Sequence, residues 1–283
     1  MNRKTILITG ATDGIGKLVA IDLANRFKDS NILIHGRNKE KLETTSDQIK
    51  KKTGNGNIQT YLADFSSMKD VRKMSAEILA GHDTIDLLIN NAGAGFAAPR
   101  LGKDGTETRF TVNYLAPFLL THLLLPAIQK TVSSRIVNVA SAGQSPIHFD
   151  DIMMDNNFDG VTAYTRSKLA IIMFTFDLAE NLKTVTANCL HPGFVNTRFG
   201  DDAKGLFGLA FRFAKRSFAI SMEKGSETIV YLASSPEVNG ITGEYFYQCR
   251  TKTPTKEAQD DEAARLLWRE SEKLAGNVAQ ISA

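Results

Sequence analysis

The sequence predicts a doubly wound α/β fold, a layer of parallel strands with helices on both faces. Three observations point there. Short apolar runs alternate with longer amphipathic stretches from the first residues onward. The runs are continuous, as in Ile32-Leu33-Ile34, and do not alternate with polar residues. A glycine-rich turn at 9–16 joins the first run to the first helical stretch. Alternation of this kind implies βαβ units, and continuous apolar runs imply strands covered on both faces.

The elements follow in order. Strand candidates lie at 5–9, 31–35, 58–62, 87–90, 135–139, 186–190 and 244–247, about seven in all. Amphipathic helical patterns lie at 16–27, 39–51, 68–79 and 162–182. Lys50-Lys51-Lys52 precedes Gly54-Asn55-Gly56, where basic residues suit a last helical turn. Composition shifts only at 143–160, polar and acidic, and at 200–220, where Phe and Leu mix with Lys and Arg. Both read as loop excursions from one domain spanning 1–283, because no linker or internal repeat divides the chain.

Bulk properties exclude several classes. Apolar residues make up 42% and charged residues 23%, with a net charge of +3, which is globular usage without the basic stripe of a nucleic-acid binder. The two cysteines, Cys189 and Cys249, build neither a disulfide framework nor a zinc site. The histidines show no H-x-x-x-H spacing, so no metal is expected. The basic start Met1-Asn2-Arg3-Lys4 leads into an apolar run too short for a signal peptide. The greasiest stretch, 114–128, contains Pro117, His122 and Pro126 and falls short of the roughly 18 apolar residues of a membrane span. A cytoplasmic protein without a transmembrane anchor is expected.

The turn Thr9-Gly10-Ala11-Thr12-Asp13-Gly14-Ile15-Gly16 follows the first strand and opens the first helix. Three glycines there permit a tight turn, close approach of a pyrophosphate and close helix–sheet packing. The helix beginning near Ile15 points free N–H groups and its positive dipole end at the anion. The second strand ends His35-Gly36-Arg37-Asn38, without the acid that holds the ribose hydroxyls of NAD. Arg37 offers a planar fork of donors to a 2′-phosphate, which favours NADP(H) over NAD(H).

Tyr164 and Lys168 stand at i and i+4 and share a helix face. Ser141 ends the fifth strand, at the carboxyl edge where open α/β sheets bind ligands. Asn113 lies in the helix before that strand, and Asn90-Asn91-Ala92-Gly93 closes the fourth. Tyr164-Thr165-Arg166-Ser167-Lys168 resembles the Tyr-x-x-x-Lys motif of short-chain dehydrogenases/reductases, and the 9–16 turn resembles their Thr-Gly-x-x-x-Gly-x-Gly fingerprint. Asn90 to Gly93 is similar to their Asn-Asn-Ala-Gly segment, and His191-Pro192-Gly193-Phe194-Val195-Asn196-Thr197 to the Pro-Gly stretch after their sixth strand.

The resemblance implies a Rossmann-type sheet in the order 3-2-1-4-5-6-7 and an oxidoreductase that moves a hydride between nicotinamide and an alcohol or carbonyl. Tyr164 is then the acid/base, and Lys168 lowers its pKa and binds the nicotinamide ribose. Ser141 holds the substrate oxygen, and Asn113 supports a water chain. Gly10, Thr12, Asp13, Gly14, Ile15 and Gly16 are expected around the phosphates. Asp64 is expected at the adenine amino group, and Asn90, Ala92 and Gly93 on the adenine-ribose side. Pro192, Gly193, Val195 and Thr197 are expected near the nicotinamide.

Two departures narrow the likeness. Ser141 and Tyr164 are more widely spaced than in many members, which with Asn138-Val139-Ala140-Ser141 resembles the retinol-dehydrogenase-like branch. Asp13 stands where some NADP-preferring members carry a basic residue.

Phe96, Phe149, Met153, Phe199, Leu206 and Phe207 are expected to wall an apolar substrate pocket, with 200–220 read as a lid rather than an interfacial helix. Two other readings are a sugar-nucleotide epimerase or dehydratase and a non-catalytic NADP sensor. The spacing Gly10, Gly14, Gly16 and the short C-terminal tail disfavour the first, and the complete set Asn113, Ser141, Tyr164, Lys168 the second. The resemblance also implies a homodimer or homotetramer formed through the helices that hold Asn113 and Tyr164.

Overall fold

A computed structural model describes residues 3–96, 98, 100–195 and 219–276. One sheet gathers β1 (Thr5–Ile8), β2 (Asn31–Gly36), β3 (Ile58–Leu62), β4 (Leu87–Asn90), β5 (Arg135–Val139), β6 (Thr186–Leu190), β7 (Tyr245–Tyr247) and β8 (Arg250–Thr251). Their spatial order is 3-2-1-4-5-6-7-8, parallel throughout except for the last pair. The eighth strand corrects the expected seven. It arises from a two-residue hairpin whose central residues, Gln248 and Cys249, both take positive φ, 49° and 60°. Such turns normally announce themselves through Asn-Gly or Asp-Gly; Gln-Cys carries no such signal.

The helices are α1 (Gly14–Arg26), α2 (Lys39–Thr53), α3 (Met68–Gly81), α4 (Thr108–Ile128), α5 (Gly160–Asn181), α6 (Met222–Ser234) and α7 (Asp261–Ala275). Most start on a side-chain cap. Asp13, Asn38, Ser67, Asp159, Ser221 and Asp260 each accept a backbone N–H of the following turn. α2 ends at Gly54, φ +74°, after the three lysines.

One core lies between the sheet and α1, α2 and α6; a second and larger one lies under α3, α4, α5 and α7. At the edge, β3 is exposed at Gln59, Thr60 and Leu62, unlike the fully buried central strands β1 and β4.

α4 is longer than the 114–128 stretch suggests. It spans 21 residues and has the length and hydropathy to cross a membrane, but 83% of its apolar window is buried inside the fold. Its turn Thr111–Leu115 widens into a π-helix. Pro117 lacks the N–H that would close onto the Asn113 carbonyl, which favours this local widening.

α7 packs across α4 and α5. Trp268 meets Phe118, His122 and Phe174 with ring centroids 5.0–5.7 Å apart, and the Tyr114 and Ser271 hydroxyls are 2.6 Å apart. Arg72 of α3 donates to the carbonyls of Ala275 and Gly276 and pins the end of α7. Self-association through α4 and α5 would therefore have to include or displace α7.

Burial of neutral imidazoles sets a pH dependence. His35 and His122 are buried, and burial pushes each down from 6.5 to about 4. Between those values the unfolded chain binds protons that the fold refuses, so stability rises with pH across the window. Each histidine contributes up to about 1.4 kcal/mol per pH unit there. Asp177, pushed up by burial and by Glu180, works in the opposite sense. Urea unfolding should give a midpoint that is level above pH 6.5 and falls as the pH drops towards 4. Equal midpoints at pH 7 and pH 5 would contradict the neutral burial of these rings.

Candidate active site

The 9–16 turn leaves β1 and is clamped to the exit of β4. Asn91 donates its side-chain amide to the carbonyls of Thr9 and Gly10, at 2.9 and 3.1 Å. Thr9 Oγ1 accepts from the backbone N–H groups of Asn91 and Ala92. Glycine is required on steric grounds. A Cβ on Gly10, φ +65°, would lie 2.7 Å from Ala92 Cα, and one on Gly16 would lie 2.4 Å from the Gly10 carbonyl oxygen. Gly14 also takes positive φ, 54°. A Cβ on Gly36 would lie 2.5 Å from Thr12 Cγ2, so the turn runs hard against the end of β2.

These features fit the phosphates of a dinucleotide. The first turn of α1 holds no acid, and its leading N–H groups have no intrahelical partner. Asp13 covers one of them, accepting from Gly14 N–H at 2.8 Å. Arg37 is exposed at the end of β2 and makes no hydrogen bond or ion pair with another described residue, while Asn38 caps α2 through Lys41 N–H. Asp64 lies after β3. Burial opposes its ionisation, but the Ser66 N–H and hydroxyl and the Lys103 ammonium outweigh that and hold the carboxyl below its ordinary range.

A second group of side chains meets at the carboxyl edge of β4 and β5. Ser141 follows β5; its hydroxyl accepts from Gly143 N–H and hydrogen-bonds the Tyr164 side chain. Lys168, one turn beyond Tyr164 on α5, is buried and donates to the Val139 carbonyl at 2.8 Å. Its ammonium lies 5.8 Å from the centroid of the Tyr164 ring. Burial pushes Lys168 down to about 8.

Burial also raises Tyr164 to about 12, against the opposing contact with Ser141. The protein alone therefore keeps the phenol protonated: desolvation dominates, and the opposing contact comes from Ser141 rather than from Lys168.

Asn113 sits on the π-turn of α4. It donates to the Ala94 carbonyl at 3.1 Å and to Ser167 Oγ at 2.9 Å, and accepts from Ala94 N–H at 2.6 Å. Both its N–H groups are thus committed to protein. A Cβ on Gly93 would lie 3.4 Å from Asn113 Oδ1 and 4.0 Å from Lys168 Nζ, so Asn113, Gly93 and Lys168 share one corner.

Asn90 departs from its expected place at the adenine ribose. It is 3% exposed, and its amide donates inward to Thr121 Oγ1 and Asn138 Oδ1. Asn138 donates in turn to Thr175 Oγ1, so the chain of amides ties β4 and β5 to α4 and α5. The neighbour that touches the phosphate turn is Asn91, which sequence reasoning passed over. His35 was passed over too, and it bonds Gly10 N–H and the Ala63 carbonyl. The doubled Asn-Asn at the strand end was the available signal for Asn91; no local pattern marks His35.

Beyond β6, Pro192, Gly193 and Val195 form a turn with Gly193 at φ +90°. Val195 bridges to Ile220 and packs near Gly225 and Ile15, which brings this turn to the start of α1. Phe96 meets the Tyr164 ring edge-on, centroids 4.8 Å apart and planes at 76°. Phe149 and Met153, from the 143–160 segment, pack part-buried against the larger core. Thr197, Phe199, Leu206 and Phe207, with nearly all of 200–220, lie outside the described residues. A cavity of about 430 Å³ lies elsewhere, between α5 and α7 near Asp177 and Arg265, and contains none of Asn113, Ser141, Tyr164 or Lys168.

Comparison with known proteins agrees with this geometry. The family model described as short chain dehydrogenase matches residues 4–204. Human retinol dehydrogenase 13 is 37% identical over 96% of this chain and 85% of its own length. Human retinol dehydrogenase 14 is 36% identical over 98% and 87%. Among solved structures, an uncharacterised protein from Mycobacterium paratuberculosis superposes with a TM-score of 0.75 at 25% identity, covering 96% of this chain and 93% of that one. A short chain dehydrogenase from Escherichia coli, solved in complex with NADPH, shares the fold with a TM-score of 0.67 at 24% identity, covering 88% and 98%.

Proposed function

The chain belongs to the short-chain dehydrogenase family, and from that premise we propose that it interconverts a hydrophobic alcohol and its aldehyde or ketone, with NADP(H) as the preferred coenzyme. The observation that carries the reading is the meeting of Tyr164, Ser141 and Lys168 at the carboxyl edge of the sheet, with Phe96 against the Tyr164 ring.

Bound NADP(H) supplies the hydride in carbonyl reduction or accepts it in alcohol oxidation. The chain's own residues do the rest. Ser141 hydrogen-bonds the substrate oxygen and aims it at the phenol of Tyr164. In reduction, Tyr164 gives its proton to that oxygen as the C–H bond forms. Burial keeps that phenol protonated, so the proton is in place to be given. In oxidation, Tyr164 must first become the base, and nearby positive charge, Lys168 included, favours its phenolate.

Asn113 keeps Ala94 and Ser167 in place beside Lys168. Arg37 receives the 2′-phosphate, the α1 N-terminus the pyrophosphate, and Asp64 the adenine. Phe96, Phe149 and Met153 give the substrate side its apolar character, which favours a hydrophobic substrate. A cytoplasmic, metal-free enzyme built as one domain is part of the same proposal.

The primary test follows NADPH and NADH oxidation at the nicotinamide band against a panel of hydrophobic aldehydes and ketones. Turnover is expected with NADPH in preference to NADH. Tyr164→Phe should lower kcat by at least about 10²-fold while NADPH still binds; a near-normal rate would remove Tyr164 from the acid/base role. Arg37→Ala should raise the Kd for NADPH far more than that for NADH, and an equal rise for both would end the 2′-phosphate assignment.

A further inference from the structure

We infer that His35 is a positioning residue of the nucleotide site, a brace that locks the Gly10 turn and the Asp64 segment into one rigid unit; this rests on the dinucleotide reading above. His35 is the fifth residue of β2, in register with Tyr61 of β3, and is 3% exposed. Its Nδ1 accepts the Gly10 N–H at 3.2 Å, and its Nε2–H donates to the Ala63 carbonyl at 3.1 Å. The ring stacks on Phe65, centroids 4.0 Å apart and planes within 14°. One side chain therefore touches the first glycine of the phosphate turn and both neighbours of Asp64.

The two bonds together settle the tautomer. Nδ1 can accept only if it carries no proton, so the proton is on Nε2, where it meets Ala63. The same ring could not do this as an imidazolium, because a second N–H would then face the Gly10 N–H. The peptide plane between Thr9 and Gly10 is thereby gripped at both ends. His35 holds its N–H, and the amide of Asn91 holds its carbonyl at 2.9 Å.

Backbone bonds run alongside. Ala11 N–H donates to the His35 carbonyl at 2.9 Å, and Ala63 N–H to Gly36 at 3.3 Å. Neither of these backbone bonds engages the Gly10 N–H; the imidazole does, and so links the position of the β3 exit to the turn.

Preorganisation of this kind lowers the ordering cost of binding a ligand that spans both segments. A dinucleotide spans them, since its pyrophosphate lies at the turn and its adenine beside Asp64.

Three variants separate bracing from mere filling of the core. His35→Phe keeps the volume and the stack on Phe65 and removes both bonds. His35→Asn keeps an acceptor close to the Nδ1 position, and His35→Gln keeps only a donor at the reach of Nε2. The Kd for NADPH, read by fluorescence titration, should rise on the order of tenfold in His35→Phe. It should return to within about threefold of the unsubstituted protein in His35→Asn and stay high in His35→Gln. Urea midpoints are measured in parallel.

A folded His35→Phe that binds NADPH as tightly as the unsubstituted protein overturns the inference. So does a set of Kd values that follows the urea midpoints without separating Asn from Gln. If His35→Phe does not fold, the Asn–Gln pair decides alone, weaker binding by Gln supporting the brace and equal binding overturning it. Failure of the unsubstituted protein to bind either NADPH or NADH would instead overturn the dinucleotide reading, and this inference with it.

Discussion

Three stretches of backbone meet at the head of the sheet with almost no space between them: the turn after β1, the first turn of α1, and the exit of β4. A Cβ at Gly16 would lie 2.3 Å from the Asn91 amide, and one at Gly10 would lie 2.7 Å from Ala92 Cα. Contacts that short leave no room for any side chain, so glycine is the only solution. The close approach also orients α1. With its start pressed against β4, the helix axis points its free N–H groups out over the carboxyl edge, where an anion can meet them. Val195 and Ile15 pack into the same corner, so the turn after β6 depends on it too.

Polar groups inside the fold extend this order to the chemical edge. Asn90, Asn138, Thr121 and Thr175 form a buried hydrogen-bonded chain through the centre of the molecule. Three side-chain bonds link its members, while the buried Asn90 Oδ1 has no partner among the described residues. The chain ties β4 and β5, which end at Asn91 and Ser141, to α4 and α5, which carry Asn113, Tyr164 and Lys168. Arg109 performs a similar service for the substrate wall. It is buried against Glu107 at 2.8 Å and donates to the carbonyls of Phe96 and Ala98, holding Phe96 beside Tyr164. Removing one partner of such a buried pair costs about 3–5 kcal/mol, more than most surface contacts contribute.

Electrostatics at the edge follow from the same burial. Tyr164 moves up and Lys168 moves down because each loses solvent around its charged form. Lys168 recovers one strong bond to Val139, and Tyr164 one to Ser141. The result is an acid kept protonated beside an ammonium whose pKa burial has lowered to about 8, the kind of perturbed pair that marks functional sites.

Much of this was legible in the chain of residues because its signals are local. Glycine spacing and continuous apolar runs report conformations within a few positions and pointed to a parallel sheet. The strand order and the grouping of Ser141, Tyr164 and Lys168 were implied by the family resemblance that the short motifs carry. Tertiary packing decided whatever depends on residues distant in sequence. β8 turns on Gln248 and Cys249, whose positive φ values have no compositional marker and are tolerated where the hairpin closes on β7.

Asn90, the last residue of β4, turned inward to Asn138 and Thr121, whereas Asn91 lies just past the strand, where its N–H turns back to the Ile89 carbonyl and its amide meets the phosphate turn. α7 covers α4 and α5 through Trp268 and Ser271, more than a hundred residues from Tyr114 and Phe118. His35, an ordinary buried strand residue by pattern, acquired its two partners only when β1, β2 and β3 came side by side. Hydrogen bonds across strands join positions that the covalent chain keeps 25 and 28 residues apart, and no local preference encodes them.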